Sequence, residues 1–252
     1  MLAHSLQGSG SAAFVLLHFL GGSHRTWFPV LPHLDDGYRC AALDTPGFGS
    51  SADIPGYSVA EMADHVAHTV AALALDRVVL VGHSMTGKVA MVLASRRPSW
   101  LSGLVLVAPS PIVPQPMSDA DRASQRRYGK TRSEAEQFVD TSSAHRLPDA
   151  MRDVAIADAQ RVNLDAWRHW VDHGSKEDWS ATLPAITCPS LLICGADDRQ
   201  VPDVETQGAM NFRHFTNVRS TVIEGAGHLM PLQTPMELAR ILLDFAGSLD
   251  NP

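Results

Sequence analysis

A chain of 252 residues, 45% apolar and 19% charged, has material for one sizeable core, which excludes disorder for most of its length. Its 18 glycines and 16 prolines follow no triplet period, which excludes a collagen-like chain. A net charge of −7, with no basic stripe, argues against nucleic acid as a partner.

In chain order, the amino terminus carries no basic segment leading into an apolar one. The longest apolar runs, such as Ala12 to Leu17, fall far short of the ~20 residues a membrane span needs. Both features predict a cytoplasmic protein with no membrane partner. Continuous apolar runs at 13–17, 39–43, 78–81, 104–107, 191–194 and 218–223 read as strands covered on both faces. Between them, Ser58 and Glu61 have capping-box spacing, and Met62, Val66, Val70 and Leu73 recur at helical intervals, predicting a helix over 58–75. Helices are predicted over 84–96 and 235–245 as well. This alternation points to an α/β fold built on a mostly parallel sheet.

The alternation stops after Ala108. Pro109, Pro111, Pro114 and Pro116 rule out a helix there, and from Ser118 to about Ser180 the chain reads as helical without strands. We therefore expect a core of residues 1–108 and 181–252, with a helical cap of three or four helices over 109–180. Cys40, Cys188 and Cys194 cannot all pair, and no C-x-x-C element accompanies them, so they read as buried free thiols. His65 and His68 share a helix face but lack a third ligand, so no metal site is expected. Arg122, Arg126, Arg127, Lys130 and Arg132 interleave with acidic residues and read as a solvated helix surface.

Three segments carry chemistry. The strand at 78–81 runs into Gly82-His83-Ser84, and a helix begins at once. A serine on such a strained turn exposes its hydroxyl above the strand end, beside free helix N–H groups; equally, a serine there can simply cap the helix. Thr86 departs from G-x-S-x-G, standing where the second glycine belongs. After the strand at 191–194 comes Gly195-Ala-Asp-Asp-Arg-Gln-Val-Pro202, and after that at 218–223 comes Gly225-Ala-Gly-His228. The order is serine, aspartate, histidine, each just beyond a strand.

With Leu16-Leu-His-Phe-Leu-Gly-Gly-Ser23 and Asp44-Thr-Pro-Gly-Phe-Gly-Ser50 added, the chain resembles the α/β-hydrolase superfamily, and most of all its small serine esterases and lactonases with a helical cap. The resemblance spans about residues 12 to 248 and is weakest in the cap. It implies an α/β-hydrolase fold with one or two strands before residue 12, and since only about a dozen residues precede that point, this edge of the sheet is expected to be trimmed. It also implies that Ser84 is the nucleophile, His228 the general base and Asp198, rather than Asp197, the residue orienting the imidazole. The backbone N–H groups of Leu20 and Met85 would form the oxyanion hole. His18-Phe19 stands where His-Gly is usual, so Phe19 is expected to narrow the acyl pocket, and Trp167 or Trp170 to line it.

The expected activity is hydrolysis of a small carboxylic ester, a small-molecule acyl substrate, through an acyl-serine intermediate. Serine, histidine and aspartate supply the chemistry, so no cofactor or metal is called for. The chain would be a monomer or homodimer. Lactonase, thioesterase and carbon–carbon bond hydrolase are the neighbouring chemistries. A receptor-like, slowly turning-over ligand binder is the alternative outside them.

Overall fold

Seven strands form one sheet in a computed structural model that describes residues 1–34 and 37–249. They are β1 (His4–Gln7), β2 (Ala12–Leu17), β3 (Tyr38–Leu43), β4 (Val78–His83), β5 (Leu101–Val107), β6 (Ser190–Gly195) and β7 (Val218–Ile223). The spatial order is β1-β3-β2-β4-β5-β6-β7, and only the β1–β3 pair is antiparallel. One strand, β1, therefore precedes residue 12. Successive residues of the inner strands point to opposite faces and feed two cores. Val15, Leu80, Leu104 and Leu192 face one, whereas Phe14, Val79, Val105 and Ile193 face the other. β7 departs from expectation: as the edge strand, with residues such as Arg219 and Ser220 exposed, it is not covered on both faces.

The first core takes α1 (Val59–Ala72) and α2 (Met85–Ser95). The Ser58–Glu61 capping box forms, and α1 ends three residues short of the span predicted for it, capped by Leu73. Four helices lie between β5 and β6: α3 (Asp119–Arg126), α4 (Arg132–Thr141), α5 (Asp149–Gln160) and α6 (Leu164–Asp172). After β6 come α7 (Val204–Asn211), α8 (Met230–Gln233) and α9 (Pro235–Leu249), the last closing the second core. No described helix is long and apolar enough to cross a membrane.

Two further sequence expectations need correction. Arg122 is not part of a solvated surface. It is buried, and its guanidinium donates to the Val171 carbonyl and, at 2.8 Å, to Ser175 Oγ, tying α3 to the end of α6. Among the cysteines, Cys40 and Cys194 are buried, but Cys188 is only half-buried.

Candidate active site

Strands β4 to β7 are parallel neighbours, so their carboxyl ends share one edge of the sheet, where three chemistry-bearing side chains meet. Ser84 follows β4 directly and has φ +56°, ψ −118°, a strained conformation for a residue with a side chain. Glycine at 82 permits that turn, because a Cβ there would lie 2.6 Å from the Thr86 carbonyl oxygen and 2.7 Å from Ala90 Cβ. Ser84 Oγ makes no capping bond to α2. It lies 2.7 Å from His228 Nε2 instead.

His228 stands in the loop between β7 and α8, and its Nδ1 lies 2.8 Å from Asp198 Oδ2. Asp198 follows β6. Burial on its own would raise this carboxyl, but the facing His228 ring and the Gln200 N–H, 2.7 Å from Oδ1, hold it below the ordinary value. An ionised Asp198 makes Nδ1 the protonated nitrogen, which leaves Nε2 free to accept from the serine hydroxyl. Asp197 is not in this line. It is exposed, and its backbone N–H donates to the Ala226 carbonyl at 2.9 Å. The two loops touch closely at Gly195, where a Cβ would come 2.3 Å from that same carbonyl.

The histidine preceding the serine has a different task. His83 Nε2 lies 2.8 Å from the His228 carbonyl oxygen and donates to it. Full burial, followed by the nearby His228 ring, pushes His83 down to about 3, so it stays neutral and cannot serve as a base near neutral pH. His18 is also buried and lowered, chiefly by desolvation. Its Nδ1–H donates to the Phe19 carbonyl at 2.7 Å, and its Nε2 accepts the Thr45 N–H at 3.1 Å. The same Phe19 carbonyl accepts the Gly22 N–H at 3.0 Å. In a trans peptide the C=O of Phe19 and the N–H of Leu20 point in opposite directions, so anchoring one aims the other. Among the described residues, no acceptor pairs with the Leu20 N–H. Met85 opens α2, where backbone N–H groups have no intrahelical acceptor.

Ser84, His228, Phe19, Leu20 and Trp170 line one small cavity of about 30 Å³. Trp167 lines a second, more polar cavity of about 530 Å³, which shares Gln115, Met117, Gln125, Phe138 and Gln200 with the first. No signal in the sequence marks Gln125 or Gln200 as lining residues, or Lys88 as a buried anchor. That lysine is fully buried on α2, its Nζ donating to the carbonyls of Val113 (3.1 Å), Gly174 (3.3 Å) and Glu177 (2.9 Å). No group of metal-ligating side chains occurs among the described residues.

Comparisons with known proteins bear on the family and the fold. Residues 12–235 match the family model of the alpha/beta hydrolase fold. The chain is similar to a pimeloyl-acyl-carrier-protein methyl ester esterase of Yersinia pseudotuberculosis, 26% identical and covering 95% of each chain. Among solved structures it is similar in fold to a bromoperoxidase of Bacillus anthracis, with TM-score 0.88, 22% identity and 97% and 94% of the two chains covered. An esterase of Exiguobacterium antarcticum gives TM-score 0.85 at 22% identity, covering 98% of this chain and 95% of its own.

Proposed function

This chain belongs to the alpha/beta hydrolase fold family, and from that membership we propose that it hydrolyses a small carboxylic ester with Ser84 as nucleophile. One observation carries the reading: the unbroken line from Ser84 Oγ through the His228 ring to Asp198, with bonds of 2.7 and 2.8 Å. In the first half-reaction His228 Nε2 takes the hydroxyl proton as Ser84 Oγ attacks the acyl carbon. The oxyanion of the tetrahedral intermediate accepts the N–H groups of Leu20 and Met85. His228 then gives its proton to the departing alkoxide, leaving acyl-Ser84. In the second half a water loses a proton to His228, attacks the acyl carbon, and the acid leaves as Ser84 regains its hydrogen. Asp198 remains ionised throughout and stabilises the imidazolium.

The named relative that cleaves a methyl ester supports an ester as the bond broken here. Residues 109–180 act in this reading as a cap whose Trp170 shares the cavity with Ser84. The test is direct. A fluorophosphonate should label Ser84 covalently, and Ser84→Ala should abolish both labelling and hydrolysis of short p-nitrophenyl esters while the fold survives. Turnover by Ser84→Ala above a few per cent of wild type refutes the serine mechanism.

A further inference from the structure

The departure from the glycine pattern at Thr86 has a structural counterpart. The β2–β4 ladder ends at the register pair Leu17↔Gly82. The next pair would be His18 and His83, but the strands no longer bond directly there. The Thr86 hydroxyl stands between them: it accepts the His83 N–H at 3.0 Å and lies 2.9 Å from the His18 carbonyl oxygen. The His83 carbonyl, at 3.0 Å, competes for its single proton. His18 is fully buried, and among the described residues no backbone N–H reaches its carbonyl, so satisfying that group assigns the proton to His18.

We propose that Thr86 is the positioning residue of the oxyanion hole, its hydroxyl spacing the Phe19–Leu20 peptide from the Ser84–Met85 turn. The inference rests on the proposed serine mechanism and adds a residue to it. A direct strand-to-strand bond at this point would draw β2 and β4 together. The hydroxyl continues the ladder by one step at a wider separation, and the gap so held lies between the two N–H groups that face the oxyanion. The His18 carbonyl is pinned from the elbow by Thr86, and the Phe19 carbonyl by the His18 ring and the Gly22 N–H. Two consecutive peptide planes ahead of Leu20 are thus fixed. Gly87 accommodates the displaced glycine function on the other side of the turn, where a Cβ would come 2.5 Å from Pro109 Cβ. Such a residue acts on the transition state and leaves ground-state binding alone, since the ester oxygen loads the hole fully only when it becomes an oxyanion.

The experiment compares Thr86→Ser, Thr86→Val and Thr86→Gly in steady-state hydrolysis of p-nitrophenyl acetate and butyrate, with thermal unfolding to check the fold. Thr86→Ser keeps the hydroxyl and should stay near wild type in kcat. Thr86→Val should lower kcat by about tenfold to a hundredfold, less than deleting an oxyanion donor outright, with KM little changed. Affinity for an alkyl boronic acid, which forms a tetrahedral adduct on the serine, should fall by the same factor as kcat. Thr86→Gly, which adds no methyl group to the gap, should move in the same direction and decides the matter should the valine variant not fold. Wild-type kcat in either folded variant overturns the proposal, as does a serine variant as impaired as the valine one. Failure of the mechanism itself looks different: wild-type protein would show no turnover dependent on Ser84, and the inference would fall with it.

Discussion

At the scale of single residues, one carboxylate of an adjacent pair is engaged and the other is free. Both aspartates follow β6, but Asp198 turns inward to His228 and accepts the Gln200 N–H, whereas Asp197 faces solvent. In the serine-protease triad, neutralising the orienting aspartate drops kcat about 10⁴-fold because the imidazole loses its tautomer. Asp198→Asn should therefore cripple kcat, with a smaller loss wherever Asp197 can swing in. Asp197→Asn should lower it less than about tenfold, because among the described residues its side chain makes no hydrogen bond. Steady-state kinetics on one short ester reads both. The reverse order of effects would transfer the orienting role to Asp197. The candidate positions 84, 198 and 228 were legible in the sequence because each sits just past a strand, and local order fixes where a strand end points. The choice between the two aspartates came from the spacing of the family motif, since adjacent residues in a turn have no periodicity to separate them.

At the scale of elements, α2 links the serine to the inserted helices. Lys88 lies one turn beyond Ser84, and its ammonium bonds the chain at Val113, before α3, and at Gly174 and Glu177, after α6. The acceptors are 25, 86 and 89 residues away, so nothing local in the sequence announces them. A lysine stem buries readily, which makes such a residue look like any other on an apolar helix. The same blindness explains Arg122, whose acceptors lie on the far side of the insertion. Two effects oppose each other in Lys88→Met. Removing a buried charge is favourable, but three carbonyls lose their donor, at roughly 1–3 kcal/mol for each left unsatisfied. The second prevails, and the variant should be less stable by about 2 kcal/mol at pH 7 in urea unfolding. The pH dependence has a definite sign. Burial lowers Lys88 to about 8 from its ordinary 10.5, with Glu177 and Asp178 opposing. Between those values the unfolded chain holds more protons than the folded one, so the lysine's contribution to stability rises with pH across this window. The gap between wild type and Lys88→Met should widen from pH 8 to pH 10.5. A constant gap would mean that the amine is not held away from water.

At the scale of the whole molecule, the sheet edge carries the three candidate residues, Ser84, Asp198 and His228, and the helices inserted between β5 and β6 line the space beside them. The first was readable as alternating runs and motifs; the second depends on how α3, α4 and α6 pack against one another, which the sequence expressed only as helical spacing. Tyr128 and Trp167 stack with ring centroids 4.2 Å apart, and Phe138 meets Trp167 edge-on at 5.1 Å, forming an aromatic wall around the larger cavity. Phe19 stacks toward that wall at 6.3 Å from Phe138 and also packs 5.3 Å from the His83 ring. It therefore stands in the small cavity beside the serine as a fixed boundary. A cavity of about 30 Å³ offers little room for an alkyl chain, for a buried methylene must find packed surroundings to contribute its roughly 0.8 kcal/mol. The larger space beyond it is lined mostly by polar groups, so apart from the aromatic wall it gives a long chain little apolar surface to compensate. Esters of two to six acyl carbons should therefore turn over faster than those of twelve to sixteen, measured as kcat/KM on a p-nitrophenyl series below the micelle threshold. Phe19→Ala should shift the optimum toward longer acyl groups, since it removes the ring without touching the Leu20 N–H. A long-chain optimum in wild type would show that Phe19 swings out of the cavity when substrate binds, and would make the ring a gate instead of a wall.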